Sequence, residues 1–151
     1  MELMTKHFGE VNIDEDKILN FGSGVPGFVG NKYIIMQEND GDVSEQPFVW
    51  LQSVEDPEIA LVLANTFLFF KDYSPEIQDE QVASLEIEDS KDISVFNVVV
   101  IPDNIEDMTV NLKAPIIVNN KNLKAMQVIA DNKDYDIRYK LYSHLKVLAE
   151  R

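Results

Sequence analysis

The stretch Val110-Asn-Leu-Lys-Ala-Pro-Ile-Ile-Val-Asn119 constrains this chain more than any other. Read two residues at a time, Val110, Leu112, Ala114, Ile116 and Val118 fall on one side, with Asn111, Lys113, Pro115, Ile117 and Asn119 on the other. Successive side chains of a strand point to opposite faces, so this alternation predicts a half-buried β-strand. Pro115 then lies on the side away from the core. A residue without an N–H belongs on an edge strand or at a bulge. Asn119-Asn-Lys-Asn122 has the composition of a turn that tolerates left-handed backbone, and a second apolar run, Leu123 to Ala130, returns from it. The stretch predicts a β-hairpin with one edge partly unpaired.

Similar short runs fill the preceding residues. Strands are expected at Met1–Phe8, Glu10–Ile13, Lys17–Phe21, Tyr33–Gln37, Phe48–Val54 and Ile59–Ala64. Ile93–Ile101 is apolar at both odd and even positions, the pattern of a strand buried on both faces. Asp79–Leu85, opened by acidic residues, predicts one or two turns of helix. Ile137, Leu141, Leu145 and Leu148 recur at spacings of four, four and three, which predicts a helix over 135–151. Eight or more short strands joined by short turns indicate an antiparallel barrel or sandwich. The expected fold is therefore mostly β: one small antiparallel barrel-like domain over residues 1–151, with one short helix and a helical segment from about residue 138.

Charge narrows the partners. The formal net charge is −14. Residues 1–110 carry 23 acidic and 5 basic side chains, whereas residues 111–151 carry 4 and 8. Such a surface repels phosphate backbones and argues against direct nucleic-acid binding. It attracts a basic protein. The absence of cysteine removes disulfides and thiolate metal sites, and a reducing, cytoplasmic location fits it. No apolar run follows Lys6 as in a signal peptide, and Phe67–Phe70 and Val98–Ile101 are too short to span a bilayer.

Few residues suggest chemistry. Gly22-x-Gly24-x-x-Gly27 matches a dinucleotide fingerprint literally. That fingerprint works only where a helix begins and its N–H groups meet a pyrophosphate, and Phe28-Val-Gly-Asn-Lys-Tyr33 carries no helical pattern. A tight turn is the reading, and no cofactor is expected. His7 and His144 lie at opposite ends, each without a neighbouring His or Cys, so no metal is expected either. The acidic clusters at 14–16, 55–58 and 86–89 read as solvated faces, and the chain as a non-enzyme. Trp50 shares a strand face with Phe48 and Val54, which suggests a core role. Phe67, Phe69 and Phe70 cannot all point one way from one strand, so an exposed aromatic is expected there.

Four segments in order carry a family resemblance. Gly24-Val-Pro-Gly-Phe28, Phe48-Val-Trp-Leu-Gln-Ser-Val-Glu-Asp-Pro57, Phe67-Leu-Phe-Phe-Lys-Asp-Tyr73 and Asn111-Leu-Lys-Ala-Pro-Ile-Ile-Val-Asn119 with Gln127-Val-Ile129 resemble the flagellar assembly factor FliW family over residues 1 to about 138. The resemblance implies a small, acidic, cytoplasmic β-barrel-like protein without enzymatic activity. It implies two partners, the translational regulator CsrA, which presents a basic RNA-binding surface, and flagellin. Holding CsrA frees flagellin mRNA for translation, and accumulating flagellin draws the factor away. Lys71 departs from the family, where a proline is common, and so does the helical tail after Arg138. Carried over by motif position, the partner-binding residues are Phe28, Asp56, Phe67, Phe70, Asp72, Asn111, Lys113 and Pro115. The alternatives are a small-ligand barrel, which requires a hollow interior with convergent polar groups, and a chaperone for flagellin alone.

Overall fold

The structure, a computed structural model, describes residues 1–22, 24–28, 30–38 and 41–149, with side chains of the last helix through Leu145. The chain opens with a hairpin of β1 (Glu2–Thr5) and β2 (Gly9–Asn12). Then come β3 (Leu19–Asn20), β4 (Lys32–Met36), β5 (Phe48–Ser53) and β6 (Ala60–Asn65). Two short helices follow, α1 (Thr66–Phe69) and α2 (Asp79–Val82), the latter continued by a 3-10 turn over Ala83–Leu85. The rest comprises β7 (Ile93–Val100), β8 (Thr109–Val110), β9 (Ile116–Asn119), β10 (Lys124–Gln127), β11 (Tyr139–Lys140) and α3 (Tyr142–Ala149).

Nine strands form one sheet in the order β11-β8-β7-β6-β5-β4-β3-β10-β9, and β9 pairs back onto β7. That return closes a seven-stranded barrel, which removes the edges of an open sheet. Every pairing is antiparallel except β10 with β3, which meet in parallel through Lys124 and Asn20 alone. The interior is packed by Leu19, Phe21, Tyr33, Val49, Leu51, Leu63, Phe96, Ile116, Val118 and Ala125, all buried. Two further apolar layers lie outside the wall. Ala64, Val99 and Val110 face Tyr73, Met108, Leu112 and Leu141 on one flank, while Ile117 and Val128 face Leu85 on another. The sequence of β7 explains its place: Phe96 and Val98 point inward while Val95 and Val99 serve the outer layers.

Residues 110–119 do form one arm of a hairpin, but not one strand. β8 pairs with Val99 and Val100, and β9 pairs with Ile93–Phe96, so Asn111–Pro115 loop out between them. Pro115 is buried, not turned outward, and its carbonyl accepts the Val128 N–H at 3.0 Å. Ile117 and Asn119 are buried as well, because α2 and its 3-10 extension cover the face that simple alternation leaves to solvent. The turn 119–122 is as expected, yet the left-handed residue is Leu123, with φ of 62°.

The loop-out rests on Asn97, which is fully buried. Its Nδ2 donates to the Asn111 carbonyl at 2.6 Å and to the Tyr73 hydroxyl at 3.1 Å, and its Oδ1 accepts from the Thr66 hydroxyl. Tyr73 in turn donates to the Leu112 carbonyl at 2.6 Å. The Asn111 carboxamide folds back to accept the N–H groups of Lys113 and Ala114 at 3.1 and 3.0 Å. Pro115 is tolerated here because a loop-out asks no ladder N–H of it.

Three other expectations change. Phe67–Phe70 is mostly a helical turn, which spreads its rings in different directions. Trp50 lies on the outer face of β5, half-buried under the N-terminal hairpin, with the His7 ring 4.1 Å away. The last helix starts at Tyr142 rather than 135: Tyr139 and Lys140 pair with β8 instead, and Ile137 is 64 % exposed. The helical reading of Glu150 and Arg151 and the packing of Leu148 lie outside the described residues.

Among its described residues, the glycine-rich loop after β3 opens no helix. It closes one end of the barrel, with Val25 buried against the interior. Gly24, Gly27 and Gly30 all have φ between 86° and 89°. At Gly30 an added Cβ would lie 2.9 Å from Glu55 Oε1. That carboxylate accepts the N–H groups of Asn31 and Lys32 at 2.8 and 2.9 Å, and those bonds hold it below the ordinary carboxylate pKa.

Two stability predictions follow from these contacts. Burial pushes the Tyr73 phenol up to about 12. A phenol raised above its unfolded pKa of about 10 stabilises the fold fully below that pH and loses the contribution as pH rises through about 12. Tyr73→Phe therefore lowers stability by about 1–3 kcal/mol in denaturant titrations at neutral pH, and it abolishes the Tyr73 part of the alkaline loss. Gly30→Ala costs about 1–3 kcal/mol, since it forces a Cβ into left-handed backbone against Glu55, and a thermal melt reads it as a lowered Tm.

Candidate protein-binding surface

Antiparallel strands bring their turns together at the two barrel ends. The loops 21–31, 54–59 and 101–108 share the end at which β4 begins and β7 stops, here the lower mouth. A cleft of 270 Å³ opens there, lined by Pro26, Phe28, Leu61, Val98, Val100, Asn111 and Ile137 among others. Phe28 is 43 % exposed and Val100 61 %. Val100 shares the inward parity of Phe96 and Val98, but it lies past the point where the interior is closed. Ile101 and Ile105 continue the apolar surface into the next loop, both exposed.

Carboxylates flank this apolar rim. Glu55, Asp56 and Glu58 lie in one of its loops and Asp103, Glu106 and Asp107 in another, against the cations Lys32 and Arg138. Among the described residues, ion pairs occur elsewhere: Lys91 with Asp89, Lys121 with Glu88 and Lys124 with Glu86. The basic excess of the C-terminal third is thus partly spent against the acidic segment 86–89. Exposed pairs of this kind contribute about 0–1 kcal/mol each. At the lower mouth Glu55 and Asp56 accept backbone N–H groups of their own and neighbouring loops, and none of the six carboxylates there is in one of these ion pairs.

The eight residues singled out from sequence fall in several places. Phe28 and Asn111 meet in the lower cleft, with Asp56 in the adjoining loop. Asp56 also accepts the Glu58 N–H at 3.0 Å, which shapes that loop. Phe70 and Asp72 line a separate cleft of 400 Å³ with Tyr73, Tyr135 and Tyr139. Phe67, 48 % exposed, stands at the opposite, upper mouth. Lys113 and Pro115 belong to the loop-out, where the Lys113 ammonium donates to the Asn132 carbonyl. Val100, Ile105 and Ile137 escaped the sequence reading because their apolar runs look like core. Asp103, Glu106 and Asp107 escaped it because acids are common throughout this chain.

Among the described residues, no group of three or more His, Cys, Asp or Glu side chains is placed to hold a metal ion. No helix among them is long and apolar enough to cross a membrane.

Comparison with known proteins agrees with this geometry. The family model described as FliW protein matches residues 2–141. A flagellar assembly factor FliW of Alkaliphilus metalliredigens is 41 % identical over 152 aligned positions, covering 100 % of this chain and 92 % of that protein. One from Caldanaerobacter subterraneus subsp. tengcongensis is 41 % identical, covering 97 % and 96 %. A crystal structure of the flagellar assembly factor FliW superposes with a TM-score of 0.83 at 31 % identity, over 93 % of this chain and 96 % of that one. A matching fold, and sequence agreement along nearly the whole barrel, place the chain in the FliW family.

Proposed function

We propose that this chain is a cytoplasmic flagellar assembly factor that works by binding proteins rather than by catalysis. It captures CsrA and lowers its affinity for RNA. Flagellin competes for the factor, so rising flagellin releases CsrA and shuts down further flagellin synthesis. The observation that supports this reading is the lower mouth, where Phe28, Val100 and Ile137 are exposed around an apolar cleft and two of the loops at that end carry six carboxylates. A basic protein is steered toward such charge, and an apolar anchor then holds it. Two routes lower RNA affinity. Direct blocking of the RNA surface is the simpler. Action from outside it requires the bound and RNA-competent states of CsrA to differ in energy.

The packed interior weighs against the small-ligand alternative. Tyr33, Phe21, Leu51 and Leu63 fill the inner barrel, which leaves a ligand only the open upper mouth, where Leu19, Phe96 and Val118 are among the lining residues.

Titration of the purified chain against CsrA and against flagellin at two salt concentrations tests the proposal. Both bind, and CsrA affinity falls with added salt, since exposed charges are screened within a Debye length of about 10 Å at 0.1 M. Asp103→Lys combined with Glu106→Lys weakens CsrA at least tenfold. Failure to bind either protein refutes the proposal. Binding of flagellin alone leaves a flagellin chaperone. CsrA affinity indifferent to salt refutes the electrostatic part.

A further inference from the structure

The upper mouth differs from the lower one in shape and in an incomplete wall. It opens as a cavity of 760 Å³ lined by Leu19, Ile35, Val43, Phe96, Val118 and Leu123, among other residues. Its charged lining is Lys17, Asp42 and Lys91, the last paired with Asp89.

The wall is incomplete along β4. Lys32 accepts the Val54 N–H at 2.9 Å, so Lys32, Ile34 and Met36 turn their backbone groups toward β5. Tyr33 and Ile35 turn theirs the other way, toward β3. But β3 is only two residues long, and its pairing stops at Leu19 with Tyr33. The next residues up leave the sheet, with Lys17 donating its N–H to the Asp14 carbonyl within a 3-10 turn. Ile35 therefore presents its N–H and C=O to the cavity with no strand among the described residues beside them. Close by, Gln37 Oε1 is buried with no hydrogen-bond partner among the described residues, although its Nε2 donates to the Gly41 carbonyl. Buried acceptors without partners are rare and costly.

We propose that the upper mouth binds an extended segment of a partner polypeptide, which adds as a strand along Ile35 and Gln37 in line with β3. Main-chain hydrogen bonds to the open edge supply affinity, and alternate side chains of the segment enter the apolar mouth. The segment is apolar at alternate positions, to match that lining, and it is held by its main chain rather than by charge. The free edge is only a residue or two long, with lysine beside it, which keeps it from templating self-association. This inference rests on the flagellin half of the proposed function and assigns flagellin to the upper mouth.

Hydrogen exchange of the full chain, alone and with purified flagellin, tests it. The Ile35 and Gln37 amides slow at least tenfold in the complex. Asn120→Trp places a bulky ring at the rim without entering the core, and it weakens flagellin at least tenfold while CsrA binds as before. Flagellin that binds without slowing these amides, or that binds the Asn120→Trp chain normally, overturns the strand-addition site and leaves the proposed function standing. No flagellin complex at all overturns both. Retained CsrA binding shows in each case that the chain is folded.

Discussion

The barrel depends on how one strand satisfies two neighbours along a single edge. β7 pairs with β9 near its start and with β8 near its end, and the chain between those partners must leave the sheet for five residues. Leaving a sheet strands backbone groups in an apolar setting, at about 1–3 kcal/mol for each unsatisfied one. Asn97 meets that demand from inside β7, taking the Asn111 carbonyl directly and the Leu112 carbonyl through Tyr73. Thr66 completes the group and ties it to the start of α1. A hydrophobic residue at 97 would fit the strand pattern better and leave the loop-out without support. The network thus couples barrel closure, the aromatic segment after β6 and the position of Asn111 in the lower cleft.

Closure also sorts the charge. With β7 fixed, the three acidic or apolar loops gather at the lower end, while the hairpin lysines of β9 and β10 reach the 86–89 segment on the flank. The same count of acids spread evenly would give solubility and little direction. Gathered around exposed apolar side chains, it gives a surface whose attraction is electrostatic at long range and hydrophobic at contact. The upper end, with its larger apolar cavity and unfinished wall, is a surface of another kind.

Much of this was legible from sequence, element by element. Period-two runs located the barrel strands, and the doubly apolar run at Ile93–Ile101 marked a strand that packs on both sides. What alternation could not show was the tertiary cover. Ile117 and Pro115 read as outward because nothing in their own segment reveals that the chain near Leu85 and Val128 lies over them. The stripe Ile137, Leu141, Leu145 has helical spacing, yet Tyr139 and Lys140 find a strand partner in β8, and that pairing delays the helix. Of the site, Phe28 was reached only through its position in the motif Gly24-Val-Pro-Gly-Phe28 that carries the family resemblance. Val100 and Ile137 were not, since an apolar residue at the end of a strand looks the same whether the interior reaches it or stops short.

The central claim is that the lower mouth is where a basic partner docks. Backbone chemical-shift mapping of the isotope-labelled chain, titrated with unlabelled CsrA, tests it most directly. The account predicts that the largest changes cluster at Phe28, Gly30, Val100, Asp103 to Asp107 and Ile137, and that Ile35, Gln37 and Asn120 at the other end move little. Changes centred on the upper mouth or on the flank of β9 and β10, with the lower mouth silent, would contradict it.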